Sequence, residues 1–106
     1  MLTFNVATVA VSGSDVEVVK TNLNAQGPVR LFLTNSGGQA LSACKVQLGP
    51  TVDGPWVDHD TTTFGSLGSG VTKSLVIQEP VAGLQVLASK GAGDTTVDAA
   101  CVGSAD

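Results

Sequence analysis

The sequence has few of the side chains on which most active sites and nucleic-acid sites depend. Its 106 residues include no tyrosine, one tryptophan, three phenylalanines and one histidine. Proteins that bind single-stranded nucleic acid stack the bases on several aromatic rings, and many enzymes use histidine for proton transfer. The shortage of both residue types argues against these two classes of protein.

Charge is also scarce, and the basic residues are scattered. Charged side chains make up 13% of the chain, with nine acidic and five basic residues and a net charge of -4. The basic residues form no cluster: Lys20, Arg30, Lys45, Lys73 and Lys90. Because affinity for phosphates depends on clustered positive charge, DNA and RNA are disfavoured as partners. A folded domain so poor in charge exposes neutral surface, which favours assembly with other subunits.

The sequence contains no long apolar run. No stretch approaches the roughly 20 apolar residues that cross a bilayer, and the N-terminus lacks the basic start and apolar core of a secretory signal. We therefore expect a protein that is made in a cytoplasm and has no membrane partner. The length predicts one domain over residues 1–106. Residues 1–11 form either an extended arm or an edge strand of that domain.

The pattern that is present is a two-residue alternation, broken at short intervals by turn-forming residues. Within the segment Leu31–Trp56, Leu31 and Leu33 alternate with Phe32 and Thr34, and a turn rich in glycine follows. This alternation is typical of half-buried β-strands. We predict an all-β antiparallel sandwich of about seven to eight strands. The predicted strands are Phe4–Val11, Val16–Thr21, Val29–Thr34, Ala43–Leu48, Trp56–Asp60, Thr72–Gln78, Leu84–Ser89 and Thr95–Cys101.

The same alternation predicts which side chains face the core. We expect a two-layer aliphatic core that contains the following inward residues: Val29, Leu31, Leu33, Cys44, Val46, Leu48, Leu75, Ile77, Leu84, Val86 and Ala88. The first strand differs from the others because it is apolar on both faces. Such a strand is either buried on both sides or docked against a neighbouring subunit.

The stretch Val57–Asp60 is the best candidate for a metal-binding or catalytic site, but its side chains do not meet the requirements of one. Alternation along a strand puts Asp58 and Asp60 on one face and His59 on the other, so the three side chains do not converge on one ion. The glycines lie in turns without a following helix, which argues against a phosphate-binding loop. We predict no catalytic, cofactor-binding or metal-binding residue, and hence a non-enzymatic protein.

Two cysteines and the tryptophan follow the order of an immunoglobulin signature, Cys44, Trp56 and Cys101. The match is incomplete, because Ala99 stands where immunoglobulin domains have tyrosine and only five residues follow Cys101. Without a secretory signal, two reduced and buried thiols are favoured over a disulfide.

Two segments are candidates for contacts with a partner. One is the apolar N-terminal strand, and the other is the loop of residues 61–70, whose Phe64 and Leu67 either fold back onto the core or face a partner. The contact residues predicted from both segments are Phe4, Val6, Val9, Val11, Phe64 and Leu67.

The chain resembles the small immunoglobulin-like β-sandwich proteins of tailed-phage virions. The resemblance rests on the strand that ends in Thr34-Asn35 with its small-residue turn, on Thr51–Trp56 with its Asp-Gly turn, and on the late strand Leu84–Ser89. It covers Val29–Cys101, and none of these motifs is diagnostic. A short acidic chain with few lysines and no tyrosine is similar to capsid decoration, or cement, proteins of bacteriophages.

The resemblance implies a structural protein on the outer surface of the virion capsid. Such a protein binds the major capsid protein, commonly as a trimer or singly at local symmetry positions, and stabilises the shell without a cofactor. For this chain we expect a homo-oligomer, of which a trimer is one form. A tail-fibre or head-fibre module is an alternative within the same class. A carbohydrate-binding or adhesive domain is the alternative from another class, and Trp56 with Phe32 or Phe64 would have to provide its aromatic surface.

Overall fold

The computed structural model describes residues 2–22, 28–51, 53–78 and 82–103, without the side chains of residues 2–7, 22 and 103. Within these ranges the chain forms eight β-strands and no helix. All the predicted strands are present, and each predicted boundary lies within two residues of the observed one. The strands are β1 (Leu2–Val11), β2 (Val16–Asn22), β3 (Val29–Asn35), β4 (Leu41–Gly49), β5 (Val57–Asp60), β6 (Thr72–Ile77), β7 (Gly83–Lys90) and β8 (Thr95–Gly103).

The strands pair into two antiparallel sheets of four. Sheet A has the order β1-β8-β3-β6, and sheet B has the order β2-β7-β4-β5. Each strand of the first half pairs with its mirror strand in the second half, so β1 pairs with β8, β2 with β7, β3 with β6 and β4 with β5. This pairing is that of a jelly roll, in which one long hairpin folds over into two Greek keys.

The prediction of an all-β antiparallel sandwich is confirmed, but the strand order is not the immunoglobulin-like one that the resemblance implied. In an immunoglobulin domain the first strand lies beside the second, whereas here β1 lies beside β8. Alternation determines which face of a strand is buried and carries no information about which strands are neighbours. Residues 1–11 were open to two interpretations, and the described part of that segment forms an edge strand.

The core lies between the two sheets and is aliphatic. The predicted inward residues of β3, β4 and β7 are all buried, and of the two on β6, Ile77 is buried while Leu75 is partly buried against the core. The core also contains Val18 and Val19 of β2, and Val97 and Ala99 of β8. Each fully buried leucine or valine side chain contributes about 1.5–3 kcal/mol, so this layer holds the two sheets together.

The loop between β5 and β6 closes one end of the sandwich. Phe64 and Leu67 are 0% exposed, and Leu41 N donates a hydrogen bond to Leu67 O at 2.9 Å. Farther along, Asn35 N donates to Val71 O at 3.0 Å. Backbone hydrogen bonds and two large apolar side chains therefore fix this loop to the core. None of the described segments forms a helix long and apolar enough to cross a membrane.

Candidate functional site

The four edge strands of the two sheets differ in charge. On sheet B, β2 carries Glu17 and Lys20, and the four-residue β5 carries Asp58 and Asp60. On sheet A, β6 carries Lys73, whereas β1 has ten residues and no charge. Charges and short length protect an edge from pairing with another chain. By this criterion β1 is the open edge of the fold.

The outer side of β1 pairs with no strand in the described ranges, while its inner side pairs with β8. The register shifts between Phe4 and Ala7, and such irregularities are common at sheet edges. Beyond this shift the ladder continues to Val11 without interruption. The exposed side chains of Thr8 and Ala10 are small, so they place little bulk beside the backbone edge of this part of β1.

The predicted contact residues whose side chains the structure describes do not form one surface. Phe64 and Leu67 are fully buried. The apolar residues of their loop therefore fold back onto the core, which is the first of the two interpretations. Exposing these two side chains would leave the end of the sandwich uncovered and cost a few kcal/mol. Their assignment as partner contacts is therefore corrected.

The predicted contacts in β1 divide by position. Val11 is 0% exposed and belongs to the core, which corrects its assignment, while Val9 is half-buried and packs against the core. The side chains of Phe4 and Val6 lie outside the described part of the chain. The described part of β1 therefore presents an unpaired backbone edge and the small exposed side chains of Thr8 and Ala10.

A row of polar side chains crosses the outer face of sheet B. The registers align Gln85 of β7 with Lys20 of β2 on one side and with Gln47 of β4 on the other, and Gln47 aligns with Asp58 of β5. Gln85 Nε2 donates a hydrogen bond to Gln47 Oε1 at 2.7 Å. Gln47 Nε2 in turn donates to Asp58 Oδ1 at 2.8 Å. We call these four residues the amide row.

Trp56 lies at the end of the same face. A Cβ atom built on Gly49 would be 3.2 Å from Trp56 Cε3, and one built on Gly83 would be 3.2 Å from Trp56 Cη2. Gly49 follows the inward-facing Leu48, and Gly83 precedes the inward-facing Leu84. Because the two glycines pair across β4 and β7, a side chain at either position would face outward. The indole of Trp56 therefore packs over the two glycines, which have no side chains, and lies beside the amide row.

The aromatic side chains do not converge. Phe32 is half-buried on the outer face of sheet A, because its neighbours Leu31 and Leu33 face the core. Trp56 lies on the outer face of sheet B, and Phe64 is buried between the sheets. Neither phenylalanine therefore shares a surface with Trp56, which removes the aromatic pairs that the sequence offered for a carbohydrate site.

Both thiols are free and buried, as predicted. Burial raises the pKa of Cys44 to about 11, although nearby Lys73 acts in the opposite direction. Burial likewise raises the pKa of Cys101 to about 11. A thiol is nucleophilic only as the thiolate, so at neutral pH these side chains are small apolar core residues.

The carboxylates of β5 have structural partners. Asp60 Oδ1 accepts hydrogen bonds from Thr62 N at 3.0 Å and Thr63 N at 2.7 Å, and Asp60 Oδ2 accepts from Thr63 Oγ1 at 2.7 Å. Burial acts to raise the pKa of Asp60, but these hydrogen bonds outweigh it and the pKa lies below its ordinary value. Among the described residues, no group of three His, Cys, Asp or Glu side chains is placed to hold a metal ion.

No protein-family model matches the sequence, and no curated protein matches it either. Solved structures do match. A structure of Bacillus endospore appendages, which form a family of disulfide-linked pili, is 8% identical, with a TM-score of 0.57 over 94% of this chain and 84% of that one. PirA is 16% identical, with a TM-score of 0.53 over 89% and 90% of the two chains. The SPBc2 prophage-derived protein YomS is 10% identical, with a TM-score of 0.52 over 92% and 95%.

These likenesses show a shared fold. The chain is a small jelly-roll domain of the kind found in a pilus protein and in a prophage-derived protein. Because one fold carries many unrelated functions, the function of this chain depends on its own surfaces.

Proposed function

We propose that the chain is a non-enzymatic structural protein of a virion, and within that class a capsid decoration protein. In this role it is made in the cytoplasm of the host and binds the major capsid protein on the outer capsid surface. The observation that carries the proposal is the open, uncharged edge of β1. The likeness to a pilus protein and to a prophage product supports the class.

The difference in charge between the edge strands β1 and β5 supports assembly through the β1 edge. Residues directly opposite each other in an antiparallel pair point to the same face, and like charges placed there destabilise the pair. If two copies of β5 paired, Asp58 would oppose Asp58 or Asp60 of the other copy. The β5 edge therefore resists pairing, whereas β1 carries no charge to prevent it.

The remaining chemistry of the chain suits a structural role. The two thiols stay protonated at neutral pH because burial raises their pKa, and Asp60 binds its own loop. The low charge leaves a neutral surface for subunit contacts. A decoration protein also gains from repetition, because many weak contacts over a shell add up to firm attachment. We propose a homo-oligomer, for which the trimers of the resembled proteins are a precedent.

The proposal is tested by mixing the purified chain with shells of tailed phages that lack their own decoration protein. We expect saturable co-sedimentation with a shell and a higher temperature of shell rupture, because a bound outer layer links neighbouring capsid subunits. If the folded chain bound saturably to none of the shells, the proposal would be overturned. Binding without any change in rupture temperature would contradict the cement role.

A further inference from the structure

We propose that the outer face of sheet B is a binding site for neutral carbohydrate, formed by Trp56, Gln47 and Asp58, while the buried Gln85 of the amide row holds Gln47 in place through its hydrogen bond. This activity goes beyond the proposed structural role, and it uses a different surface from the β1 edge. It also differs from the aromatic pairs considered from the sequence, since it combines a single indole with planar polar side chains.

The amide row presents hydrogen-bonding groups in fixed orientations. A glutamine amide carries two N–H groups and two acceptor positions. Gln47 uses one N–H toward Asp58 and one acceptor position toward Gln85, so the row leaves it one of each for a ligand. The hydrogen bonds within the row fix the order of donors and acceptors, which reduces the entropy lost on binding. Vicinal hydroxyl groups, which both donate and accept, fit such a row.

Trp56 supplies the apolar part of the site at a suitable distance. Gly49 and Gly83 lie two residues from Gln47 and Gln85 on the same strands, which places them on the same face about 7 Å away. A sugar ring that contacts the indole through its C–H groups therefore directs hydroxyl groups toward Gln47 and Asp58, which are the accessible members of the row. On the other side of the row, Leu87 is half-buried on this face.

The loop that carries Trp56 is held in place before any ligand binds. Gly54 N donates a hydrogen bond to Thr51 O at 3.0 Å, and Thr51 Oγ1 donates to Gly54 O at 2.8 Å. Lys20 of the amide row lies 3.7 Å from Asp53 of the same loop. The indole and the row are therefore parts of one connected structure.

The charges around the site favour an uncharged ligand. Lys20 is paired with Asp53 at 3.7 Å, and Lys45 is paired with Asp15 at 3.6 Å. Both lysines on this face thus have an acidic neighbour, and the chain as a whole carries a net charge of -4. A phosphate, a sulfate or an acidic glycan would find no excess positive charge here. The site lies on the face of the sheet, and the strands β7 and β4 that carry Gln85 and Gln47 are paired on both sides, so an added peptide strand is not its occupant.

The chain provides its own reporter for this site, because Trp56 is the single tryptophan and there is no tyrosine. The full chain is titrated with neutral hexasaccharides of glucose, mannose, galactose and N-acetylglucosamine, and with a galacturonate hexasaccharide as the acidic comparison. We expect a saturable change in Trp56 emission with at least one neutral probe, with a Kd of about 1 mM or lower. The acidic probe should leave the emission unchanged.

Substitutions localise the binding. Gln47→Ala should weaken binding about tenfold by removing hydrogen bonds to the ligand, and Gln39→Ala, the same change at an exposed glutamine near the opposite end of β4, should leave it unchanged. If Gln47→Ala lowers the melting temperature, Asp58→Asn is measured instead and should also weaken binding. No saturable change with any neutral probe would overturn the site, and so would wild-type binding by Gln47→Ala or, where that variant is destabilised, by Asp58→Asn. Ala10→Lys on β1 should keep carbohydrate binding even if it abolishes shell binding. The carbohydrate site and the proposed assembly through β1 can therefore fail independently.

Discussion

The hydroxyl group of Thr95 donates a hydrogen bond to Asn35 Oδ1 at 2.7 Å, and both residues are buried. The same oxygen accepts from Gly37 N at 3.2 Å. Asn35 Nδ2 donates to Gln39 O at 2.7 Å and to Leu67 O at 3.0 Å. One amide therefore joins β3, β8, the turn after β3 and the loop that closes the sandwich, with all four of its hydrogen-bonding positions in use.

Replacing Asn35 by alanine should destabilise the fold strongly. The change leaves buried partners without hydrogen bonds, so we expect the free energy of unfolding to fall by about 2–4 kcal/mol. Thr95→Val removes one of these bonds and should cost about 1–2 kcal/mol. Thr34→Val is the control, because its hydroxyl bonds to Thr72 at an exposed position, and it should cost less than about 0.5 kcal/mol. Urea unfolding measures all three, and equal costs for Asn35→Ala and Thr34→Val would refute this account of the network.

Gly37 and Gly38 form a matched pair within the same turn. A Cβ atom on Gly37 would collide with Thr95 Oγ1 and lie 2.6 Å from Thr96 N, whereas one on Gly38 has no atom within 4 Å. Gly37→Ala should therefore lower the free energy of unfolding by about 1–3 kcal/mol. Gly38→Ala should be neutral or stabilise by up to about 1 kcal/mol, because it restricts the unfolded chain. Thermal melting of the two variants distinguishes these outcomes, and similar melting temperatures would contradict the predicted contact.

The buried thiols predict a loss of stability at alkaline pH. In the unfolded chain a thiol has an ordinary pKa of 9.0, whereas burial raises the pKa of Cys44 and Cys101 to about 11 in the fold. Between these values the native state binds more protons than the unfolded state, so stability is complete below pH 9.0 and falls as the pH rises toward about 11. Urea unfolding as a function of pH measures this slope. The double variant Cys44→Ala/Cys101→Ala should show a shallower slope, and an unchanged slope would contradict the assignment.

Asp60 should contribute to stability at neutral pH and lose that contribution in acid. Its pKa is lowered in the fold because the hydrogen bonds from Thr63 and Thr62 outweigh the effect of burial. The unfolded chain therefore binds a proton first, so the contribution is present above the ordinary pKa of 3.8 and disappears as the pH falls through the lowered pKa. Asp60→Asn should flatten this part of the pH profile of unfolding. A variant profile parallel to that of the wild type would show that Asp60 does not anchor its loop.

The sequence predicts the strands and the core well because both depend on local patterns. Leu31 and Leu33 alternate with their neighbours over a few residues, and this alternation is sufficient to assign their buried face. The neighbours of β1 depend on contacts across nearly the whole chain, since Leu2 pairs with Gly103. Local patterns contain no such information, which explains why the sandwich was predictable while its jelly-roll order was not.

The surfaces were harder to predict than the fold. The hydrophobicity of Phe64 and Leu67 showed that the loop buries apolar area, but it did not distinguish the chain's own core from a partner. Gln47 and Gln85 lie 38 residues apart in sequence, and each reads as an ordinary outward residue of its strand. Only the register of β4 with β7 brings the two amides together, so the amide row becomes visible in three dimensions alone.

The most direct test of the central claim compares shell binding by two variants that add the same charge. Ala10→Lys places a lysine on the open edge strand β1, and Gln78→Lys places one at an exposed position after β6. Lysine on an edge strand opposes strand pairing. We predict that the wild type and Gln78→Lys co-sediment with the shell to the same saturation level, and that Ala10→Lys, with an unchanged melting temperature, remains in the supernatant. Equal co-sedimentation of both variants would contradict assembly through β1.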